Sequence, residues 1–322
     1  MTLRAAVLGH PISHSKSPAL HQAAYAYLGV ELDYSAIDVT EDALPAFMAR
    51  VREELRLGEV WRGLSVTMPL KSGMVREVDE VRGVARDLGV INTVAFERPA
   101  AGDAAGATRL VGYNTDVAGI VNALRHAGAA TAPTAAVLGG GGTSAAAIAA
   151  LKELGAPDAR IFVRDVPRAA EARAAAAAVG LPIQVLPLAG AAAAVAAADV
   201  VISTLPPRAA DQLAGELATL VAQRTGGPSR EALSREAPSR EAPSRENTAH
   251  RPGVLLDVAY DPWPSRIAAA WQEAGGTVIP GLEMLIYQAV EQVRHFTGLG
   301  EAVPAEVIDV MCDAVGAPRR VF

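Results

Sequence analysis

The sequence predicts an α/β protein in two units, each a sheet of strands covered by helices. Three observations predict it. Short apolar runs alternate with longer helical segments along most of the 322 residues. Four glycines, Gly139, Gly140, Gly141 and Gly142, follow an apolar strand and open a helix. The length is ample for two cores of ordinary domain size.

Each element has a local reason. Residues 5–8 form an apolar strand, and Pro18 can open the helix expected over 18–29, because a missing N–H costs nothing in the first turn. Gly29 is placed to end that helix. A strand over 32–39, a helix over about 44–55 and a strand over 63–66 follow. Pro69 and Lys71 are expected to open the next helix. Residues 92–96 and 109–112 flank a Gly/Ala loop and read as a hairpin. A long helix over 115–127 then leads to strands at 135–138, 160–163, 184–186, 200–203, 254–258 and 277–279. With the helix at 143–154, that series predicts a Rossmann-type doubly wound parallel sheet. Helices over 283–296 and 304–315 close the chain.

Composition excludes several function classes. The formal net charge is −6, and no basic run exceeds a pair, which argues against nucleic acid as a partner. The apolar stretch over 188–205 is mostly alanine and is broken by Asp199, so it reads as a helix and a buried strand, not a membrane span. The N-terminus lacks the long apolar run of a signal peptide. The single cysteine, Cys312, suits a reducing cytoplasm and reads as a small buried hydrophobe. His10, His14 and His21 lack a completing ligand set and read as solvated, so no metal is expected. Residues 228–247 repeat a Pro-Ser-Arg-Glu-Ala unit with almost no large apolar side chain. Such a segment cannot offset its ordering entropy, so an insertion over 227–248 is expected to be disordered.

Several residues carry candidate chemistry. Ser15 and Ser17 precede a helix start, where free N–H groups favour a small anionic, hydroxylated ligand; the plainer reading is an ordinary Ser cap. The turn Gly139 to Gly142, with Thr143 after it, suits a dinucleotide diphosphate, although Ser144 stands where the common fingerprint has its third glycine. Arg164 and Arg168 flank Asp165 at the end of the second strand. They can clamp a 2′-phosphate, or they can be solvated cations paired with Asp165. Lys71 and Asp116 suit an acid–base pair for a ketone reduced by hydride; the plainer reading is a surface lysine and a helix-capping aspartate. Thr67, Asn92, Tyr260 and Gln288 add the hydroxyl and amide groups a small polyol carboxylate needs. Each of these also has an ordinary structural role.

The ordered set is more specific than its parts. The run from Gly9 to Pro18, the block Leu64 to Lys71, Val90-Ile91-Asn92-Thr93, Asn114-Thr115-Asp116, the glycine turn, Asp257 to Tyr260 and Gly281 to Gln288 resemble the shikimate dehydrogenase family in family order. The resemblance covers nearly the whole chain. It implies a discontinuous substrate-binding domain over 1–114 and 282–322, and an NADP-binding Rossmann domain over 115–281. It implies a cytoplasmic enzyme, monomer or homodimer, that reduces 3-dehydroshikimate to shikimate with NADP(H), with NAD(H) less favoured. Lys71 and Asp116 would be catalytic and would also touch substrate, as would Thr67. Ser15, Ser17 and Tyr260 would meet the carboxylate, and Asn92, Asp116 and Gln288 the ring hydroxyls. Gly139, Gly140, Gly141, Gly142, Thr143, Arg164, Asp165, Arg168, Val258 and Gly281 would hold the cofactor. The chain departs from the family pattern at Val163, Asp165 and Val117, where Asn, Thr and often Gly are expected, and in the repeat. Two rivals remain: an NAD-dependent quinate/shikimate dehydrogenase, which Ser17 argues against, and a non-catalytic ligand-sensing relative, which Lys71 and Asp116 argue against.

Overall fold

A computed structural model describes residues 3–58, 60–98, 108–225 and 252–319. The expected insertion at 227–248 lies outside the described residues, as does most of the Gly/Ala loop between the hairpin strands.

The first sheet contains β1 (Leu3–Gly9), β2 (Leu32–Asp38), β3 (Trp61–Val66), β4 (Glu80–Val81), β5 (Thr93–Glu97) and β6 (Arg109–Tyr113), in the order β2-β1-β3-β5-β6-β4. β1 runs parallel to β2 and β3, whereas β5 is antiparallel to β3 and β6. The register Ser65↔Thr93 and Thr93↔Tyr113 sets the start of β5 beside the ends of β3 and β6. One edge of the sheet therefore collects the segments that follow β1, β3 and β6 and the residue that precedes β5.

Helices α1 (Ser17–Leu28), α2 (Leu44–Arg56) and α3 (Val84–Leu88) cover this sheet. α1 carries Pro18 in its first turn and stops at Gly29, whose φ of 65° is one that glycine adopts without strain. No helix opens at Pro69 or Lys71. A turn leads instead to a short 3-10 segment, Gly73–Arg76. The Lys71 carbonyl accepts the Ile91 N–H at 3.0 Å, so it bonds across to the β5 lead-in and not along a helix.

The second sheet is wholly parallel. β7 (Ala135–Leu138), β8 (Ala159–Val163), β9 (Ile183–Pro187), β10 (Val200–Ser203), β11 (Val254–Asp257) and β12 (Thr277–Pro280) lie in the order β12-β11-β10-β7-β8-β9. This is the doubly wound order, and its direction reverses between β7 and β10. Helices α4 (Asp116–His126), α5 (Gly142–Glu153), α6 (Ala170–Val179), α7 (Ala192–Ala196), α8 (Asp211–Thr225) and α9 (Arg266–Glu273) pack around it. Residues Ser144 to Leu151 of α5 are all buried, and five of the eight are alanine. Small side chains all round let one helix lie tightly between its neighbours and the sheet.

After β12 the chain continues as α10 (Gly281–Thr297) and ends with α11 (Val307–Val315). α10 belongs to both halves. Met284 and Tyr287 join the core of the second sheet, while Ile286, Ala289, Val290, Val293 and Phe296 join that of the first. It crosses α4 at Gly119, where an added Cβ would stand 2.8 Å from the Met284 carbonyl oxygen and 2.9 Å from the Gln288 Cβ. Among the described residues no helix is long and apolar enough to cross a membrane.

Gly119→Ala is expected to destabilise the protein by about 1–3 kcal/mol, because backbone, not a mobile side chain, blocks the new methyl group. Denaturant unfolding of the two proteins checks this, and an unchanged midpoint would mean that the crossing is looser than described.

Candidate active site

Between the edges of the two sheets lies a cleft of about 570 Å³. The first sheet supplies Ser15 and Ser17 after β1, Thr67 and Lys71 after β3, Asn92 before β5 and Asp116 after β6. The other half supplies Thr143 at the start of α5, Val258 and Tyr260 after β11, and Gly281 and Gln288 from α10. All eight residues expected at a substrate thus share one cavity.

Lys71 and Asp116 form its charged centre. Lys71 Nζ lies 2.5 Å from Asp116 Oδ2, with side chains 18% and 7% exposed. The reading of a surface lysine and an unrelated capping aspartate is therefore excluded. Asn92, buried, donates through Nδ2 to Asp116 Oδ1 at 2.8 Å and to Gln288 Oε1 at 3.2 Å. Asn92 Oδ1 accepts the Thr115 N–H at 2.7 Å. Gln288 in turn donates to the Leu285 carbonyl at 3.0 Å. The pair thus sits on a hydrogen-bonded floor and opens to the cleft on one side.

Ser17 is buried at the first residue of α1, and its N–H meets Ser15 Oγ at 3.3 Å. The helix cap itself is Lys16, which makes no side-chain cap bond. Ser15 thus serves the helix start, as the plainer reading expects, and both serines also line the cleft. The half-buried Tyr260 has its hydroxyl pKa raised by burial and by the neighbouring Asp261, which keeps it a neutral donor. Asp257 braces the loop that carries it, accepting Ser265 Oγ at 2.5 Å and the Ala259 N–H at 3.3 Å.

The glycine turn fits a dinucleotide. Gly139 has φ of 112°, and a Cβ there would lie 2.3 Å from Thr204 Oγ1; one on Gly140 would lie 2.9 Å from Val163 Cγ1. Nothing stands within 4 Å of the Gly141 Cβ position, and Gly141 caps α5 without a side-chain bond. No side chain therefore crowds the start of α5 at Gly141, the arrangement a diphosphate on a helix N-terminus needs. Ser144 fills the place of the third fingerprint glycine by bonding Thr204 at 2.7 Å. Arg164 and Asp165 are exposed beyond β8, and Arg168 is exposed in the short 3-10 segment Val166–Arg168. Among the described residues neither arginine makes an ion pair with Asp165, so the self-paired alternative is not realised.

Sequence reading missed part of the site. His21 is not solvated; it is fully buried, with its ring stacked on Tyr34 at 4.0 Å between centroids. Gln292 and Ser65 also line the cleft. Gln292 follows Gln288 by one helical turn, and that spacing was the available signal. Among the described residues no group of three or more His, Cys, Asp or Glu is placed to hold a metal ion.

Fold and cleft together define a class: a Rossmann-type nucleotide-binding sheet facing a polar small-molecule site built on a second sheet. Comparison with known proteins then specifies it. Residues 7–94 match the model of the shikimate dehydrogenase substrate binding domain, and residues 281–308 that of the shikimate 5'-dehydrogenase C-terminal domain. The shikimate dehydrogenase (NADP(+)) of Rubrobacter xylanophilus is 34% identical over 93% of this chain and 92% of its own. The crystal structure of Mycobacterium tuberculosis shikimate dehydrogenase is similar with a TM-score of 0.73 at 36% identity, covering 97% of this chain and 98% of that one. The Thermus thermophilus enzyme in complex with NADP(H) and shikimate gives 0.70 at 28% identity, over 97% and 100%. The chain belongs to the shikimate dehydrogenase family.

His21 makes stability depend on pH. Burial lowers its pKa from 6.5 to about 3, against a smaller opposing effect of its bond to Gln292. Below pH 6.5 the unfolded chain binds a proton there that the folded chain does not, so stability falls as pH falls, until about pH 3. Between pH 7 and pH 5 the loss from this group is about 2 kcal/mol. Urea unfolding across that range should show a shallower pH slope in His21→Gln than in the parent; equal slopes would mean that His21 is not held neutral.

Proposed function

We propose that this chain is a shikimate dehydrogenase that reduces 3-dehydroshikimate to shikimate, reversibly, with NADPH. The observation that carries this reading is the Lys71–Asp116 pair, at 2.5 Å, placed where the polar cleft meets the half that bears the glycine turn. Bound NADPH supplies the hydride. The protein must then deliver a proton to the oxygen that gains charge, and Lys71 Nζ is the donor. Asp116 holds that ammonium group in place while Asn92 fixes the carboxylate. In the oxidative direction Lys71 accepts the hydroxyl proton.

Ser15, Ser17 and Tyr260 line the cleft and suit a carboxylate, since each brings a neutral hydroxyl. Thr67, Asn92, Asp116 and Gln288 suit the ring hydroxyls. Gly139 to Gly142 and Thr143 hold the diphosphate, Arg164 and Arg168 meet the 2′-phosphate, and Val258 and Gly281 flank the ring that reacts. The substrate domain comprises 1–114 and 282–322, and the cofactor domain 115–281. We read the enzyme as cytoplasmic, a monomer or homodimer, with a small-molecule substrate and no nucleic-acid partner.

Lys71→Ala is expected to lower kcat by about 10²–10⁴, the span of one acid–base group, with a smaller change in KM. Steady-state oxidation of shikimate with NADP+ measures this, and turnover near that of the parent would remove Lys71 from the chemistry.

NADPH is expected to outperform NADH by about tenfold to several hundredfold in kcat/KM. That is below the ceiling of two charge-assisted hydrogen bonds, because both arginines are exposed and Asp165 repels the phosphate. Arg164→Ala should lose the preference and Asp165→Thr should sharpen it. Equal or better efficiency with NADH in the parent protein would overturn the cofactor assignment and favour the NAD-dependent quinate/shikimate reading, with Asp165 holding the ribose hydroxyls.

A further inference from the structure

Along one wall of the cleft runs a buried polar chain, which Ser65 and Gln292 join to the cavity and which the reaction above does not use. Tyr34 donates its hydroxyl to Ser65 Oγ at 2.6 Å, and Ser65 donates to Gln292 Oε1 at 2.7 Å. His21 Nε2 lies 3.1 Å from the same oxygen, and its Nδ1 lies 2.9 Å from the Tyr25 hydroxyl. Gln292 Nε2 donates to the Asn92 carbonyl at 3.1 Å and to Thr93 Oγ1 at 3.0 Å.

The direction of every link is determined. The Asn92 carbonyl can only accept, so Gln292 must turn its nitrogen toward it. Thr93 Oγ1 accepts from that nitrogen and donates its own hydrogen to Asn92 Oδ1 at 2.9 Å. The Thr115 N–H, which can only donate, meets the same oxygen at 2.7 Å. Asn92 must therefore present its nitrogen to Asp116 Oδ1, which leaves Oδ2 for Lys71. A chain of bonds with one polarity strengthens each member, and a missing member leaves buried groups unpaired.

We infer that Gln292 is a positioning residue for the acid–base pair, acting through Thr93 and Asn92 on Asp116. The inference rests on the reading of Lys71 and Asp116 given above. Gln292 is 2% exposed and bonds neither Lys71 nor Asp116. Its two donors orient the Thr93 hydroxyl, which donates to Asn92 Oδ1, and add a second bond to the Asn92 carbonyl, which also accepts the Val66 N–H at 2.8 Å.

The test is a double-mutant cycle in kcat for shikimate oxidation. Gln292→Leu keeps the volume and removes the donors. It should lower kcat about tenfold in the parent background, the size of one buried hydrogen bond. In the Lys71→Ala background it should change kcat by less than about twofold, because the group it positions is already gone. A merely structural role would lower kcat by the same factor in both backgrounds, and that result overturns the inference. Unchanged kcat in Gln292→Leu also overturns it. If Gln292→Leu does not fold, Thr93→Val cuts the same chain one link later and is read in the same cycle. An inactive parent protein would instead refute the functional reading itself, so the two failures are distinguishable.

Discussion

The close crossing of α4 and α10 at Gly119 is the constraint on which the rest of this structure depends. α4 begins at Asp116, one turn before that glycine, and α10 carries Gln288 opposite it. With no side chain at position 119, the helices approach until a Cβ there would meet the Met284 carbonyl at 2.8 Å. That approach lets Gln288 reach Asn92 across 196 residues of sequence. It also locks α10 into both hydrophobic cores at once. Two sheets with separate cores would otherwise be free to hinge, since contacts between such halves are usually modest. Here one helix is part of each.

The charge at the centre of the cleft follows from that packing. An exposed ion pair contributes little, and the surface pair Arg56–Glu53 is of that kind. Lys71 and Asp116 differ because the carboxylate is almost fully buried and each of its oxygens has a partner. Removing one member of such a pair leaves an uncompensated charge, which costs several kcal/mol. The arrangement is thus expensive to build and is held by the hydrogen bonds beneath it. Its one open side faces the cavity.

The second half solves a different problem with smaller side chains. A diphosphate needs backbone N–H groups at close range, so the turn after β7 must carry no bulk. Gly139 meets Thr204 where any side chain would collide, and Ser144 ties to the same threonine. The run of alanines in α5 then brings the helix close to the sheet at the point where strand order reverses. Beyond this turn, Arg164, Asp165 and Arg168 stand exposed past the end of β8.

Sequence by itself determined the parts of this protein that depend on local chemistry. Pro18 and Gly29 bound a helix, the glycines mark a turn between strand and helix, and alternation of strands with helices sets the doubly wound sheet. The cleft residues were legible as an ordered set of motifs, because most of them, Ser15, Thr67, Asp116 and Tyr260 among them, lie just past a strand end where chain geometry is restricted. What local chemistry could not decide was the environment of a side chain. Lys71 was expected to open a helix and lies instead in a turn, because its carbonyl is taken by a strand lead-in distant in sequence. His21 looks like one of three solvated histidines and is buried against Tyr34 and Gln292, the latter 271 residues away. Burial and hydrogen-bond direction belong to the assembled packing of α1, β3, β5 and α10, and no window of sequence contains all four.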